Sequence, residues 1–463
     1  MSDIRMNHPV PGPRSRAVLE KMERYVAKAK VDRTLVPAII DHASGALVTD
    51  LDGNRYIDLA GGVGALNVGH AHPRVVEAVR TAAARFMHTD FTVFPYASYI
   101  ELAERLCRLA PGREAKKACF LNSGAEAVES AIKIARKATG RRAVICFEGA
   151  FHGRTLMALS LTSKVRPYKE GMGPFAPEVY RAPYPYVYRW PGSPPESRVA
   201  AEALEQLKRM FTTHVSPAET AAVIIEPIQG EAGFIVPPKK YLKELQALCR
   251  QHGILLIADE VQTGIGRTGH FFASEYFGIQ PDLITVGKSL GAGLPISGVI
   301  GRADVMDAAG DGSVGGTFVG NPVACAAALA VLDIYDAEAL GEKARSIGEQ
   351  IRKRLGELEP HSRLIGEIRG VGAMVAVELV RDKRTREPAG PETEAVIRRC
   401  LEKGVILFKA GVHGNVIRFL VPLVITPAQL EEALDVIAAS LREVERDSED
   451  MESSLVASIW GGG

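Results

Sequence analysis

Long apolar runs are missing from this 463-residue chain. None approaches the ~20 consecutive residues that a membrane-crossing helix needs, so no bilayer span and no membrane partner is expected. An excess of one charge is missing as well: 56 Lys and Arg stand against 55 Asp and Glu, a formal net charge of +1. Such a balance gives no electrostatic reason to expect nucleic acid or an anionic lipid surface. Cysteine is scarce: six residues (Cys107, Cys119, Cys146, Cys249, Cys325, Cys400) lie scattered along the chain. They form no CxxC pair and have no His nearby at ligand spacing, which predicts buried reduced thiols rather than a zinc site or a disulfide framework. The opening "MSDIRMNHPVPGPRS" lacks the basic-then-apolar pattern of a secretory signal, and the cytoplasm is the expected location.

What is present is an ordinary globular composition, 46% hydrophobic and 24% charged. The length allows one large domain with a smaller appendage, or two to three domains. Residues 1–74 combine a Pro-rich lead and a short charged helix pattern with "GALVTDLDGNRYIDLAGG", which alternates around the hairpin signal Asp52-Gly53. Over residues 75–335, short β-rich runs ("KACFLN", "AVICFEG", "AAVIIEP", "ILLIADEV", "DLITVGK") alternate with helix-period stretches. Continuous apolar strands separated by helices predict an α/β fold with a mainly parallel sheet covered on both faces. Residues 336–446 read as a smaller α+β domain closing with a helix from Pro427 to about Arg446. Residues 447–463 read as a frayed, flexible tail, and "YPYVYRWPGSPPES" (184–197) as a surface loop.

Polar residues converge where the apolar runs end. Asn122-Ser123-Gly124 follow "ACFL"; Glu148, Phe151, His152 and Arg154 follow "AVICF". Glu226 follows "AAVII", Asp259 follows "ILLIA" and Lys288 follows "DLITVG". In open α/β sheets the ligand crevice lies outside the carboxyl ends of the strands, so these residues are predicted to share one edge. Singly, each has a plainer reading. Glu226 precedes a proline and can simply end a strand, and His152 can hydrogen-bond locally. Two glycine motifs fail their tests. In "ILLIADEVQTGIGRTG" the GxGxxG glycines are separated from the strand by "DEVQT", and the acid at the right distance, Asp282, begins a strand instead of ending one. "VGKSL" would need glycine at position 282 to be a phosphate loop.

The segment "NSGAEAVESA" fares better. Ser123 and Glu126 have capping-box spacing, and Gly124 would let a phosphate approach the helix N terminus. A plain capped helix is the competing reading. A buried strand-end lysine can become a nucleophilic amine by desolvation. A strand-end aspartate can keep a heteroaromatic nitrogen protonated, a contact of about 5 kcal/mol at ~3 Å and an effective dielectric of ~20 before desolvation costs. Lysine, aspartate and phosphate cup together describe a pyridoxal 5'-phosphate site.

The same segments, "NSGAEAVESAIKIAR", "GAFHGRT", "IIEPIQGEAGF", "LLIADEVQTGIGRTG", "PDLITVGKSLGAGLPISG", "GGTFVGNPVACAAALAVL" and "NVIRFLVPL", resemble class III (ω-) aminotransferases, in particular bacterial 4-aminobutyrate aminotransferases. The resemblance runs in order from about residue 35 to 440. It implies fold type I of the pyridoxal phosphate enzymes: a large cofactor-binding domain, a small domain built from both chain ends, and a homodimer with shared active sites. Carried over by position, Lys288 would hold the cofactor covalently and Asp259 would pair with its pyridine nitrogen. Gln262 would lie near the ring hydroxyl, with Val261 against one ring face and Phe151 stacked on the other, and Glu226 and His152 would also bind the cofactor. Gly124 and Ala125 would bind the phosphate, and Thr317 the phosphate of the neighbouring subunit. Relatives often carry serine at position 125 and tyrosine at 151, so a hydroxyl contact is lost at each. Arg154 would take the distal carboxylate of an ω-amino acid beside Val63 of the other chain. Arg418 would take the α-carboxylate of glutamate or 2-oxoglutarate, with Glu231 neutralising it otherwise.

The function implied is amino transfer from a 4-aminobutyrate-like donor to 2-oxoglutarate, with 5-aminovalerate, ornithine or lysine as other possible donors. A pyridoxal phosphate racemase or epimerase of the same fold is the alternative. It handles one α-amino substrate, so the Arg154, Glu231 and Arg418 set would be superfluous. A nucleotide-binding dehydrogenase or NTPase is disfavoured by the motif failures above.

Overall fold

Near the N terminus, β1 (Ile40–Ser44), β2 (Leu47–Asp50) and β3 (Arg55–Asp58) form an antiparallel meander in the computed structural model, which describes residues 2–29 and 36–460. Residues 30–35 of the N-terminal lead and 461–463 of the tail lie outside the described residues. Asp50 closes the hairpin at Asp52-Gly53 by accepting from the N–H groups of Asp52 and Asn54, both at 2.9 Å.

The large sheet contains β4 (Lys116–Leu121), β5 (Ala143–Phe147), β6 (Val179–Ala182), β7 (Thr220–Ile225), β8 (Leu255–Asp259), β9 (Leu283–Val286) and β10 (Ser297–Arg302). Their spatial order is β4-β10-β9-β8-β7-β5-β6, and β10 alone runs antiparallel to its neighbours. Every residue of β5, β7 and β8 is buried. The helix Gly124–Thr139 covers one face, and Glu196–Thr213 with Lys239–His252 cover the other. That double cover is why the strands read as unbroken apolar runs. The sheet also holds two strands not read from the sequence. In β6 ("VYRA") and β10 ("SGVIGR"), an arginine or glycines interrupt the apolar run.

The C-terminal part contains β11 (Ile365–Val371), β12 (Met374–Asp382), β13 (Glu387–Pro388), β14 (Val405–Ile406), β15 (Phe408–Ala410) and β16 (Val416–Phe419). β14 pairs in parallel with β3, which joins the two chain ends. The last helix passes the expected stop at Arg446 and runs from Pro427 to Trp460. No glycine or proline interrupts it before Gly461. The stretch 184–197 is not a plain surface loop. Tyr184 and Trp190 are buried, Tyr184 Oη donates to the Glu226 and Pro227 carbonyls, and a helix already starts at Glu196.

Glu260, the neighbour of Asp259, serves the scaffold. Its carboxylate is fully buried and accepts from the N–H groups of Ala273 and Ser274 and from the hydroxyls of Ser274 and Thr263, at 2.6–2.7 Å. Gly266 and Gly269, from the failed nucleotide motif, press against Tyr335 and Arg345, where a Cβ would come within 2.6 Å of either side chain. Replacing Glu260 by Ala strands four donors and should cost about 3 kcal/mol. The urea midpoint of Glu260→Ala is therefore expected to fall while cofactor bound per folded chain is retained. An unchanged midpoint would contradict the scaffold role.

Candidate active site

Six parallel strands point their carboxyl ends at one edge, and there the predicted residues meet. A cavity of about 190 Å³ is bounded by Gly124, Ala125, Phe151, His152, Glu226 and Asp259. Glu231, Val261, Gln262, Lys288 and Gly153 complete its wall. Its location obeys the rule for open α/β sheets.

Asp259 ends β8 and is 4% exposed. Its Oδ2 accepts from His152 Nδ1 at 2.7 Å, and its Oδ1 accepts from Thr285 Oγ1 at 2.9 Å and the Val261 N–H at 3.2 Å. This contact selects the His152 tautomer with its proton on Nδ1 and leaves the buried Nε2 without a partner among the described residues. Lys288 follows β9 with φ at +46°, a conformation that costs energy for a residue with a side chain. Burial pushes the Lys288 amine below its ordinary pKa; the Glu231, Glu226 and Asp259 carboxylates oppose that shift. Both effects bear on one amine that faces the cavity.

Glu226 ties two loops together. Its oxygens accept from the Phe151 and Gly230 N–H groups, each at 2.8 Å. Burial, reinforced by the nearby Asp259 charge, pushes its carboxyl up to about 7. The Gly230 loop presents Glu231, whose Oε1 accepts from Arg418 Nη1 at 2.5 Å. Burial would raise the Glu231 carboxyl, but the guanidinium prevails and holds it below the usual carboxylate range. Arg418, on β16, is 4% exposed and so meets an anion rather than water.

The helix from Gly124 starts with the capping box read from the sequence: Glu126 accepts from the Asn122 and Ser123 N–H groups and Ser123 Oγ caps the Glu126 N–H. The N–H groups of Gly124 and Ala125 lie in the first turn, where a helix offers no internal acceptor, and they border the cavity. Any Cβ at position 124 would sit 2.8 Å from Val261 Cγ1. Four predicted residues lie outside this wall: Arg418, which reaches it only through Glu231, and Arg154, Val63 and Thr317. Arg154 is exposed, with its guanidinium 4.6 Å from the Tyr168 ring centre and 5.9 Å from that of Phe151. Val63 and Thr317 are exposed and belong to other loops.

With this geometry in hand, comparison with known families is decisive: the model of the aminotransferase class-III family matches residues 27–441. The chain belongs to the class III aminotransferases. It is 50% identical over 423 residues to a probable 4-aminobutyrate aminotransferase of Bacillus subtilis, covering 91% of this chain and 97% of that protein. It is 48% identical over 408 residues to a 5-aminovalerate aminotransferase of Pseudomonas aeruginosa, covering 88% and 94%. Among solved structures, the omega transaminase of Pseudomonas jessenii in complex with PMP superposes with a TM-score of 0.86 at 30% identity, over 92% of this chain and 98% of that one. A thermostable (S)-enantioselective omega-transaminase from Thermomicrobium roseum gives 0.86 at 33% identity, over 93% and 98%.

As a class III aminotransferase the enzyme works with pyridoxal phosphate. The cavity suits that group. It offers a buried carboxylate, an amine, free N–H groups at a helix N terminus and two buried polar atoms without protein partners, His152 Nε2 and Gln262 Oε1. Four contributors were not read from the sequence. Gly153 has φ at +126° and packs where a Cβ would come within 2.6 Å of Ala125, and its place in "FHGRT" could have flagged it. Thr285 meets Asp259 only through the β8–β9 register, Thr162 Oγ1 accepts the His152 N–H at 3.0 Å, and Tyr168 reaches Arg154 from a separate turn. No local pattern marks these three.

Because the folded Glu226 value, about 7, exceeds the ordinary 4.5, this carboxyl contributes stability that is complete below about 4.5 and lost as pH rises through about 7. Across pH 4.5–8 the apoprotein Tm, measured relative to Glu226→Gln, is therefore expected to decline and then level off. A pH-independent difference between the two proteins would refute this assignment.

Proposed function

We propose that the enzyme transfers the amino group of an ω-amino acid, 4-aminobutyrate or its 5-carbon homologue, to 2-oxoglutarate, giving a semialdehyde and glutamate. The observation that carries this reading is the largely buried Arg418–Glu231 ion pair, whose Glu231 lines the same cavity as Lys288. Relatives named for 4-aminobutyrate and for 5-aminovalerate support it. An α-amino racemase would have no use for a neutralisable second arginine.

When bound, pyridoxal phosphate supplies an aldehyde that joins the substrate amine and a ring that absorbs charge from the reacting carbon. Lys288, whose amine faces the cavity, would hold the cofactor and serve as the base and acid that moves the substrate proton. Asp259, oriented by His152 and Thr285, would keep the proton on the pyridine nitrogen. Of the other residues that line the cavity, Gly124 and Ala125 would hold the phosphate, Val261 and Phe151 would flank the ring and Gln262 would meet its hydroxyl. Arg154, held over Tyr168, receives the distal carboxylate. The first substrate has no carboxylate beside the reacting carbon and the second has one. A bare guanidinium would be stranded in the first half-reaction, at a cost of several kcal/mol. Glu231 covers it there and yields to the α-carboxylate in the second.

The working unit is a cytoplasmic homodimer with shared sites. Thr317 and Val63 are exposed and lie outside their own chain's cavity. Phe318, next to Thr317, is 64% exposed against His88, with Met87 and Phe94 also bare nearby in sequence.

In single-turnover kinetics, Arg418→Ala should slow the 2-oxoglutarate half-reaction at least ~100-fold (about 2.7 kcal/mol) and the ω-amino acid half much less. Glu231→Ala should show the opposite preference. Equal effects on both halves in both variants would reject the switch. Heterodimers of a Lys288→Ala chain with a Thr317→Ala chain place both lesions in one shared site and should regain about half the activity. Complete inactivity would mean that each site is confined to one chain.

A further inference from the structure

The switch requires Glu231, whose side chain is only 21% exposed, to leave Arg418. An unpaired charge so largely withdrawn from water is costly, so a second cation that receives it favours the exchange. Among the described residues, the charged and titratable groups that bear most on Glu231 are Arg418, Lys288 and Lys164, with Tyr168 beside them. Arg418 is by then engaged with substrate, Lys288 is occupied by proton transfer, and Tyr168 is neutral, its hydroxyl pushed above its ordinary value by burial and by the Glu231 charge. Lys164 remains.

Lys164 stands between the helix Leu156–Leu161 and the turn that carries Tyr168. It is half-buried, and its Nζ donates at 3.2 Å to the Gly411 carbonyl. The Gly411 N–H in turn donates to the Glu231 carbonyl at 3.0 Å, so Lys164 and Glu231 grip the same residue. An ammonium has three donors and this bond uses one. Among the described residues no carboxylate lies within ion-pair distance of Lys164, whereas its neighbour Lys409 is paired with Glu394 at 2.8 Å. Glu231 cannot move as a loop without breaking two anchors, its own carbonyl on Gly411 and the Gly230 N–H on Glu226. Its carboxylate therefore moves by side-chain rotation about a fixed backbone.

From this geometry we infer that Lys164 is the receiving partner of Glu231. When an α-carboxylate takes Arg418, the Glu231 carboxylate rotates onto the Lys164 ammonium, and it returns when that substrate leaves. Lys164 is thus a positioning residue that acts through Glu231 and touches neither substrate nor cofactor. The inference rests on the switch reading above.

The test compares holoenzymes of the parent, Lys164→Met, Lys164→Gln, Lys164→Arg, Arg418→Ala and Glu231→Ala. Two readouts are taken: the half-reactions with 4-aminobutyrate and with 2-oxoglutarate, and calorimetric binding of 2-oxoglutarate to the pyridoxal form, which has no amine to donate. Lys164→Met and Lys164→Gln should weaken 2-oxoglutarate in both readouts by about tenfold and leave the 4-aminobutyrate half within about twofold. Lys164→Arg should restore most of the loss, and the Lys164→Met penalty should vanish in a Glu231→Ala background. A Lys164→Met effect equal in both halves, absent from both, or unchanged without Glu231 overturns the inference. If Arg418→Ala itself fails to select the 2-oxoglutarate half, the switch reading falls. If it does select that half while Lys164→Met is silent, only the role of Lys164 falls.

Discussion

Burying a carboxylate at the end of a strand is the constraint around which this active site is organised. Asp259 is 4% exposed, and water does little to solvate it. Its oxygens depend on His152 Nδ1, the Thr285 hydroxyl and the Val261 N–H. Each donor comes from a different loop or strand, so the β5 loop, β9 and the turn after β8 are oriented by one acceptor. His152 needs a fixed backbone to serve it, which Thr162 supplies. Such a network is rigid when every member is satisfied and costly when one is missing.

The other charges obey the same rule by different means. Glu260 faces four donors and no cation, and it holds the scaffold. Glu226 accepts two N–H groups and has its carboxyl pushed up to about 7, so it ties the β5 and β7 loops without a full negative charge at every pH. Glu231 has a cation, and an ion pair is the arrangement that a second anion can take apart. A neighbourhood of buried carboxylates thus divides into fixed hydrogen-bond acceptors and one exchangeable pair. The proposed switch would use that distinction, because two unlike substrates would enter one pocket.

Legibility from sequence followed how local each signal is. The buried strands of the large sheet were readable because double-sided cover forces an unbroken apolar run, and the polar residue that ends each run marks the site edge. The capping box at Ser123 and Glu126 was readable because its spacing is a helix property. β6 and β10 escaped because Arg181 and the glycines of "SGVIGR" break the pattern, although the sheet buries nearly all of β10 and half-buries β6 at its edge. The 184–197 stretch looked like surface because prolines dominate it, yet two aromatic side chains anchor it in the core.

By itself the sequence determined the class of chemistry. A lysine, an aspartate and a phosphate-ready helix N terminus at the ends of buried strands allow few other readings, because each is expensive to bury without a ligand. Only the tertiary structure decided who meets whom. Thr285 reaches Asp259 through a strand register, Arg418 reaches Glu231 from 187 positions away, and Lys164 meets the Gly411 carbonyl across 247. Contacts of that kind arise where distant parts of the chain pack against one edge. No local periodicity encodes them, because hydrogen bonds and ion pairs act over a few ångströms of space and are indifferent to distance along the chain.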